Sequence, residues 1–307
     1  MRVGINGNRL VASGDLALVI EHIKKAAEDG FPSYWLAQHP AGGLDALTTL
    51  ALAARVAPEI ELCSGVIPSW PRHPVALAAQ ASTTQQSLGG RLTLSIGLSH
   101  KAMLEQGLSI PFEKPIRHMR EYLDILVPLL QGKSVSVQGE MLGAEAAFPA
   151  VGPPTPVLVG ALGPQMLRLA GERADGTILA WTGPKTVREH VAPRIRAAAE
   201  RVGRSAPRIA AIYSVCVTDD AERARGLVDG WFSGHGDVPS YAKMMALEGV
   251  SRPGEIAVVG NEAEVRSRLL EIAESGVTDL CAGEIGANPE EEVRGRVLLK
   301  SLTPELC

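Results

Sequence analysis

The stretch IELCSGVIPSWPRHPVALAAQASTTQQSLGGRLTLSIG, residues 60–97, holds two short apolar runs on either side of a longer segment. Ile60–Val66 and Leu92–Ile96 have the length and apolar content of buried strands. Pro74–Gln86 predicts a helix, because a proline at the first helical position lacks an N–H that would be unpaired there. A strand, a helix and a strand with short connections predict a parallel pair joined by a right-handed crossover.

The same alternation continues outward from this stretch to both ends of the chain. The other predicted strands are about Arg2–Ile5, Ser33–Ala37, Pro156–Val159, Gly176–Trp181, Arg208–Val217 and Thr278–Ala282. The other predicted helices include Leu16–Glu28, Asp45–Val56, Lys114–Leu130, Pro184–Arg201, Asn261–Glu274 and Pro289–Leu299. Eight strand–helix units in 307 residues favour a closed (β/α)8 TIM barrel, an α/β fold; a doubly wound open sheet is the alternative.

Two stretches interrupt the alternation. Residues 132–154 are rich in Gly and Pro and predict a small hairpin or an extended loop. Residues 233–254 predict a second insertion, with a short helix at Tyr241–Leu247. Neither stretch resembles a linker, so residues 1–307 are interpreted as one domain.

Composition excludes several functions. The formal net charge is −4 and no basic cluster is present, so a nucleic-acid partner is not expected. No apolar run reaches the roughly 18–20 residues that a membrane span needs, and the N-terminal residues lack a signal-peptide core. Cys63, Cys216 and Cys281 lie in apolar runs without C-x-x-C spacing and are expected to be reduced. We therefore expect a cytoplasmic protein without a metal site.

In a barrel, the site lies where the strands end, and polar and glycine residues gather there. SIGLSH, residues 95–100, follows the fourth strand, and LVGALGPQ, residues 158–165, opens a helix whose first N–H groups favour an anion such as phosphate. The alternative is that these glycines only allow tight turns. His39 follows the second strand, where it either caps and packs locally or moves a proton. No nucleophile motif is present, so a bound cofactor is expected to carry the chemistry.

Four ordered segments carry a resemblance to a known family. They are YWLAQHP, residues 34–40; GVIPSWPRHPVALAAQASTTQQSLGGRLTLSIGLSH, residues 65–100; VLVGALGPQMLRLAGERADGTIL, residues 157–179; and AVVGNEAEVRSRLLEIAESGVTDL, residues 257–280. Over nearly its whole length the chain resembles the luciferase-like monooxygenase superfamily. Within it, the chain most resembles the actinobacterial oxidoreductases that use the deazaflavin coenzyme F420.

The resemblance implies roles for individual residues. The third strand is expected to end in a non-prolyl cis peptide at Gly65–Val66, which backs a flat ring, with His39 as the catalytic residue at the ring edge. The cofactor-binding residues implied are Ser64, Gly65, Val66, Gly97, Ser99, His100, Gly160, Ala161, Leu162 and Gly163, and those nearer the substrate are Asn6, Trp181 and Thr182. Arg72, His73 and Lys101 either meet the anionic tail of the cofactor or remain solvated on the surface.

Two positions depart from the family pattern. Gln38 stands where relatives that oxidise sugar phosphates carry aspartate, and Asn6 stands where some relatives carry glutamate. A carboxylate acid–base role at these positions is therefore unsupported, and a sugar-phosphate substrate is not expected.

The leading functional hypothesis is hydride transfer between F420 and a small organic substrate. An FMN-dependent monooxygenase that uses O₂ and a non-catalytic flavin or deazaflavin binder are the alternatives, and a phosphate-binding isomerase or aldolase would need a strand-end lysine or paired carboxylates. Family relatives are often homodimers. The helices at Asp45–Val56 and Pro74–Gln86 would supply such an interface, although packing on the barrel explains the same apolar residues.

Overall fold

Eight parallel strands form one closed ring in the computed structural model, which describes residues 1–39, 42–149, 152–234 and 238–306. Cys307 and parts of the two predicted insertions, residues 150–151 and 235–237, lie outside these ranges. The ring strands are β1 (Arg2–Asn6), β2 (Ser33–Leu36), β3 (Glu61–Ser64), β4 (Leu92–Gly97), β5 (Val157–Gly160), β6 (Gly176–Leu179), β7 (Arg208–Val217) and β8 (Asp279–Glu284).

Each strand is followed by a helix of the outer layer. These are α1 (Leu16–Glu28), α2 (Ala46–Ala53), α3 (Pro74–Ser87), α4 (Pro115–Leu130), α5 (Pro164–Arg173), α6 (Ala192–Arg201), α7 (Glu262–Glu274) and α8 (Pro289–Leu306). Shorter helices occupy Asn8–Val11, Pro184–Thr186, Ala221–Trp231, Pro239–Glu248 and Pro253–Ile256, and Met103–Gly107 and Val187–Val191 are π-helical. The predicted (β/α)8 barrel is therefore confirmed, and the open sheet is wrong.

Ring closure depends on the pairing of the first and last strands. β1 pairs with β8 in parallel, with Val3 opposite Leu280, and β6 pairs with β7, with Ile209 opposite Thr177. Closure gives every ring strand two neighbours, so no barrel strand presents an unpaired edge. All eight carboxyl ends consequently lie on one rim, which we call the mouth.

The core has two parts. Outward-facing strand residues pack beneath the helices in one large apolar cluster that includes Val3, Ile5 and Leu36. The barrel interior holds a smaller cluster, formed by Trp35, Cys63, Leu158, Ile178, Ala210 and Cys281. The barrel interior is therefore a packed core rather than a pore.

An ion-pair cluster closes the opposite end of the barrel. Arg208 contacts Glu61 at 2.8 Å and Asp279 at 2.7 Å. Burial alone lowers the pKa of Arg208, but its bonds to the two carboxylates raise that pKa above the ordinary value. The sequence analysis did not identify this cluster, because its members are spread over three distant strands.

The two insertions are resolved as follows. Val135–Gln138 and Gly143–Ala146 pair antiparallel, so residues 132–149 contain the hairpin rather than an extended loop. The second insertion contains the helix Pro239–Glu248. The strand Val258–Gly260, which follows the insertion, pairs with β7 and was not predicted. Within the described ranges, no helix has the length and apolarity to cross a membrane.

One predicted strand is wrong in its extent. The strand predicted over Ile60–Val66, which was expected to end in a bulge at Gly65–Val66, ends as β3 at Ser64, and pairing resumes at Ile67–Pro68, which lies against the end of β4. Residues 65 and 66 form the interruption. The sixth strand likewise ends at Leu179 rather than Trp181.

Candidate functional site

The interruption after β3 is a backbone bulge at the mouth. The peptide bond between Gly65 and Val66 is cis in the structure, at the bond where the family resemblance implied it. The Gly65 N–H donates to the carbonyl of Leu36, and the Gln38 N–H donates to the carbonyl of Val66. These two bonds tie the bulge to the end of β2 and fix the direction in which Val66 points.

The bulge packs onto bare backbone at the ends of β4 and β5. A Cβ added to Gly97 would lie 2.9 Å from Cγ2 of Val66, closer than side-chain carbons approach. A Cβ on Gly160 would lie 3.9 Å from Cγ1 of the same valine. Gly65 itself lies over Trp35, whose Cε3 would be 3.7 Å from an added Cβ. Val66 and these three glycines form a surface with few side chains, which we call the floor, and it fits a flat ring.

Asn8 supports the floor from the end of β1, and the sequence analysis missed it. Its Oδ1 accepts from the Ala37 N–H at 2.6 Å, and its Nδ2 donates to the Gly65 carbonyl at 3.4 Å. One side chain therefore joins the ends of β1, β2 and β3. The pattern Asn6-Gly7-Asn8 directly after a strand was the available signal, since short amides often bond to nearby backbone.

Asn6, expected near the substrate, is largely buried, and its Oδ1 accepts the backbone N–H of Asn8 at 2.8 Å. Ser64, expected to bind the cofactor, is fully buried; its hydroxyl donates to the Ser95 carbonyl at 3.0 Å and accepts from the Ser95 N–H at 2.7 Å. Both side chains thus hold the mouth together. The Oδ1 of Asn6 and the hydroxyl of Ser64 are engaged by the chain itself.

His39 is exposed at the rim beside the floor. Gln38, the residue before it, donates through Nε2 to the His39 carbonyl at 3.3 Å and accepts at Oε1 from the Ala46 N–H at 2.8 Å. The amide therefore fixes the His39 backbone relative to the first turn of α2. The position that differs from the sugar-phosphate oxidisers thus has a structural use here.

The start of α5 has no side-chain cap among the described residues. Gly163 is the N-cap, and Pro164 is the first helical residue. First-turn N–H groups and the helix dipole favour a negatively charged group there. The preceding carbonyls are already engaged, since Thr177 Oγ1 lies 3.4 Å from the Ala161 carbonyl and His190 Nε2 lies 2.8 Å from the Leu162 carbonyl.

Four aromatic side chains line one side of the mouth, and we call them the aromatic wall: Trp181, Phe232, Tyr241 and His100. The rings of Trp181 and Phe232 meet edge to face at 4.8 Å between centroids, and Tyr241 meets His100 in the same way at 5.3 Å. Burial raises the pKa of Tyr241 to about 12, so its hydroxyl stays neutral. Ser99, next to His100, has a positive φ of 64°. The wall therefore joins the ends of β4 and β6 to the second insertion.

Thr182 and Glu248 fix the position of this wall. The Tyr213 hydroxyl donates to the Thr182 carbonyl at 2.7 Å. Glu248, at the end of Pro239–Glu248, accepts from the Thr186 N–H at 2.7 Å and from its hydroxyl at 2.8 Å. The insertion helix is thereby anchored to the segment that follows β6.

The charged residues near the third strand serve the fold. Arg72 Nη2 bonds Asp45 Oδ2 at 2.9 Å, and Asp45 Oδ1 accepts from the Thr48 N–H at 2.8 Å to cap α2. His73 is the N-cap of α3 and accepts from the Val75 N–H at 3.3 Å. Lys101 lies 3.9 Å from Glu105. These contacts give Arg72 and His73 structural roles at the starts of α2 and α3.

A second aromatic group that the sequence analysis missed lies just beyond the bulge. The rings of Trp70 and His118 stack at 3.8 Å, and His118 Nε2 lies 3.0 Å from the Ser69 hydroxyl. Burial lowers the pKa of His118 to about 4, so the ring is neutral near pH 7. This stack fixes the chain that leaves the floor.

Metal chemistry has no visible support at the mouth. In the portions of the chain that the structure covers, no group of three or more His, Cys, Asp or Glu side chains is placed to hold a metal ion. Cys63, Cys216 and Cys281 are free and buried, and burial raises the pKa of Cys216 to about 11. These thiols are therefore protonated packing groups near neutral pH.

Comparison with known proteins identifies a matching family and similar relatives. A family model described as luciferase-like monooxygenase matches residues 3–279. The 5,10-methylenetetrahydromethanopterin reductase of Methanolobus tindarius is 26% identical over 320 residues, covering 94% of this chain and 97% of that protein.

Two solved structures show the same fold. The coenzyme F420-dependent tetrahydromethanopterin reductase of Methanopyrus kandleri has a TM-score of 0.78 at 22% identity, covering 100% of this chain and 99% of the other. The oxygenating constituent of 3,6-diketocamphane monooxygenase of Pseudomonas putida, solved in complex with FMN, has a TM-score of 0.76 at 17% identity, covering 100% and 98%.

Proposed function

The chain belongs to the luciferase-like monooxygenase family, an oxidoreductase class, and on that premise we propose that it transfers a hydride between coenzyme F420 and a small organic substrate. The observation that carries the proposal is the floor: Val66 pressed against Gly97 and Gly160, between exposed His39 and the uncapped start of α5. The floor suits a flat ring, and the helix start suits a phosphate. The named reductase relative supports F420 over FMN.

The residues present fit such a cofactor. Gly65 and Val66 would support one face of the ring, and Gly97, Ser99 and His100 would line the path toward the phosphate. The backbone of Gly160, Ala161, Leu162 and Gly163 would hold the phosphate at the start of α5. When bound, F420 supplies a ring carbon that carries a hydride and reacts poorly with oxygen.

His39 has the remaining chemical role. Its imidazole is exposed at the rim and its backbone is fixed by Gln38, so it is placed to give or take the proton that accompanies hydride transfer. Trp181 would border the substrate, and the aromatic wall would exclude water from the reacting atoms. Thr182 is buried, and its hydroxyl donates to the Ala180 carbonyl at 3.0 Å, so it would support Trp181 rather than contact the substrate. Free buried cysteines fit a reducing compartment, which supports a cytoplasmic location.

A cofactor titration tests the proposal. Purified protein is titrated with F420 and with FMN, and binding is followed by quenching of cofactor fluorescence. We expect F420 to bind at least about tenfold more tightly, a difference of about 1.4 kcal/mol. Binding of neither cofactor overturns the proposal.

Two alternative functions would use the same site. Tighter binding of FMN, together with oxygen consumption, would favour the flavin-dependent monooxygenase that the FMN-bound structural neighbour suggests. Tight F420 binding without hydride transfer to any member of a broad substrate screen would favour a non-catalytic binder. A lysine or a paired carboxylate at the floor, as an aldolase or isomerase needs, is not among the described contacts.

A further inference from the structure

We propose that Arg9 binds an oxyanion of the substrate, so that the substrate is a small carboxylate or phosphate with a flat apolar body. The inference rests on the proposed function and adds the substrate class. It starts from the position of Arg9, in the short helix Asn8–Val11 that directly follows β1. The guanidinium carbon lies 3.7 Å from the ring centroid of Trp231, and Nη1 donates to the Glu284 carbonyl at 3.5 Å.

These contacts place Arg9 on the rim. Glu284 ends β8, and Trp231 ends the helix that follows β7, so the guanidinium lies where β1, β8 and the second insertion meet. β1 and β5 are four strands apart in the ring of eight. Arg9 therefore lies across the mouth from the start of α5, on the side away from the proposed phosphate site.

The charge of Arg9 is not neutralised locally. Within the described ranges, no carboxylate oxygen lies within 4.0 Å of its guanidinium. The nearby carboxylate of Glu284 is engaged elsewhere, at 2.7 Å from Arg296 and 3.4 Å from His22. Glu292 acts on Arg9 only at longer range, and Arg9, held against the indole of Trp231, is exposed to solvent at the rim. An exposed guanidinium that is held in place by an indole and contacts no carboxylate favours an incoming anion.

The geometry of the Arg9–Trp231 pair limits the kind of ligand that can bind. A guanidinium stacked on an indole keeps its N–H groups in its own plane, where they meet a carboxylate or phosphate with two parallel bonds. Trp231 is 41% exposed, and its neighbour Phe232 packs against Trp181 in the aromatic wall. The oxyanion site therefore adjoins a surface that suits an aromatic or similarly flat body.

Matched probes test the inference on the full chain, loaded with whichever cofactor it binds, or unloaded if it binds neither. The probes are 1-naphthoate against 1-naphthamide, and 1-naphthyl phosphate against 1-naphthol, titrated by calorimetry. We expect one or both anions to bind at least about tenfold more tightly than the neutral partner. Which anion binds better distinguishes a carboxylate substrate from a phosphate.

Substitutions assign the effect to Arg9. Arg9→Gln should weaken anion binding about tenfold or more, leave the neutral probes unchanged and leave F420 affinity within about twofold. Arg9→Lys, which keeps the charge but loses the planar pair of donors, should fall between. Arg55→Gln removes an exposed arginine at the opposite end of the barrel and should change nothing.

Several results would overturn the inference. They are equal binding of anionic and neutral probes, no binding of any probe, unchanged anion affinity in Arg9→Gln, or a loss of F420 affinity in that variant with no effect on the anions. The last result would assign Arg9 to the cofactor tail. Failure of the proposed function is a separate observation, since it appears as failure to bind F420 before any probe is added.

Discussion

Val66 packs against the bare Cα of Gly97, and a methyl group on that carbon would lie 2.9 Å from Cγ2 of the valine. The two residues belong to different strand ends, and their contact sets the height of the floor on which the proposed ring rests. The absence of a side chain at position 97 is therefore a requirement of the site.

Gly97→Ala should lower both stability and cofactor affinity. The methyl group overpacks the contact with Val66, which typically costs about 1–3 kcal/mol. We expect a lower melting temperature and about tenfold weaker F420 binding by fluorescence titration. Gly226→Ala, in an open helical position where a Cβ meets nothing within 4 Å, is the matched control and should not weaken binding.

A second substitution tests the cause. Shortening Val66 to Ala removes the Cγ atoms that the new methyl group meets, so Gly97→Ala combined with Val66→Ala should recover stability relative to Gly97→Ala alone. Additive losses in the double variant would contradict the proposed contact.

Asn8→Leu should weaken cofactor binding without contacting the cofactor. The change keeps the approximate volume but leaves the Ala37 N–H without its acceptor and the Gly65 carbonyl without its amide donor. An unsatisfied buried group costs about 1–3 kcal/mol. Urea unfolding and F420 titration should both register the loss. Asn8→Asp keeps the acceptor and should be the milder change in stability.

His39→Ala should separate chemistry from binding. If His39 moves the proton, kcat on a substrate identified by screening should fall about 100-fold or more, while the dissociation constant of F420 changes less than about threefold. His39→Gln keeps a polar side chain that cannot titrate, and it should lose the acid or base limb of the pH–rate profile. A kcat near that of the wild type would remove His39 from the mechanism.

Arg72→Gln should affect stability and leave the cofactor alone. Arg72 bonds Asp45, the cap of α2, and both side chains are partly exposed, so the pair is worth at most about 1 kcal/mol. We expect a fall of about 2 °C in the melting temperature. An F420 affinity reduced more than about threefold would instead place Arg72 on the cofactor tail.

His118 should make stability depend on pH. Its pKa is about 4 in the folded protein and 6.5 as the ordinary value, so the unfolded chain binds more protons between these limits. The free energy of unfolding should therefore decrease as the pH falls from 6.5 toward 4, by up to about 1.4 kcal/mol per pH unit. Above pH 6.5 this contribution should be constant.

The variant His118→Phe isolates the contribution of His118 to the pH dependence of stability. Phenylalanine keeps a ring against Trp70 and cannot titrate, whereas all carboxylates titrate equally in both proteins. Urea unfolding at pH 5 and pH 7 should show a smaller difference for the variant than for the wild type. Equal differences would mean that His118 ionises normally in the folded state.

Periodicity in the sequence was sufficient for the barrel. The strands and helices were predicted because each β–α unit carries its own apolar pattern and boundary signals, such as Asp15, which caps the start of α1 by accepting from the Leu18 N–H. The strand Val258–Gly260 was missed since three residues carry too little pattern to recognise. The apolar pattern alone extended the third strand to Val66, and the bulge at Gly65–Val66 was expected from the family resemblance.

The site was predicted less completely, for a physical reason. Glycine positions could be selected from the family resemblance, and the structure gives a packing partner to Gly65, Gly97 and Gly160. The roles of Asn8, Glu248 and the Trp70–His118 stack depend on contacts between segments far apart in sequence. No local pattern specifies such contacts. Similarly, Ser64 has the residue type of a ligand contact, but its hydroxyl is fully used by the Ser95 backbone.

The attachment of the insertion helix through Glu248 has an evolutionary consequence. Its carboxylate accepts hydrogen bonds from the Thr186 N–H and hydroxyl, so the position of the helix does not depend on the side chains on its other faces. Homologous proteins can therefore vary the residues that face the substrate while they retain the glycines of the floor. Diversification of chemistry among paralogues is then expected to concentrate in residues 231–247, with little drift at positions 65, 97 and 160.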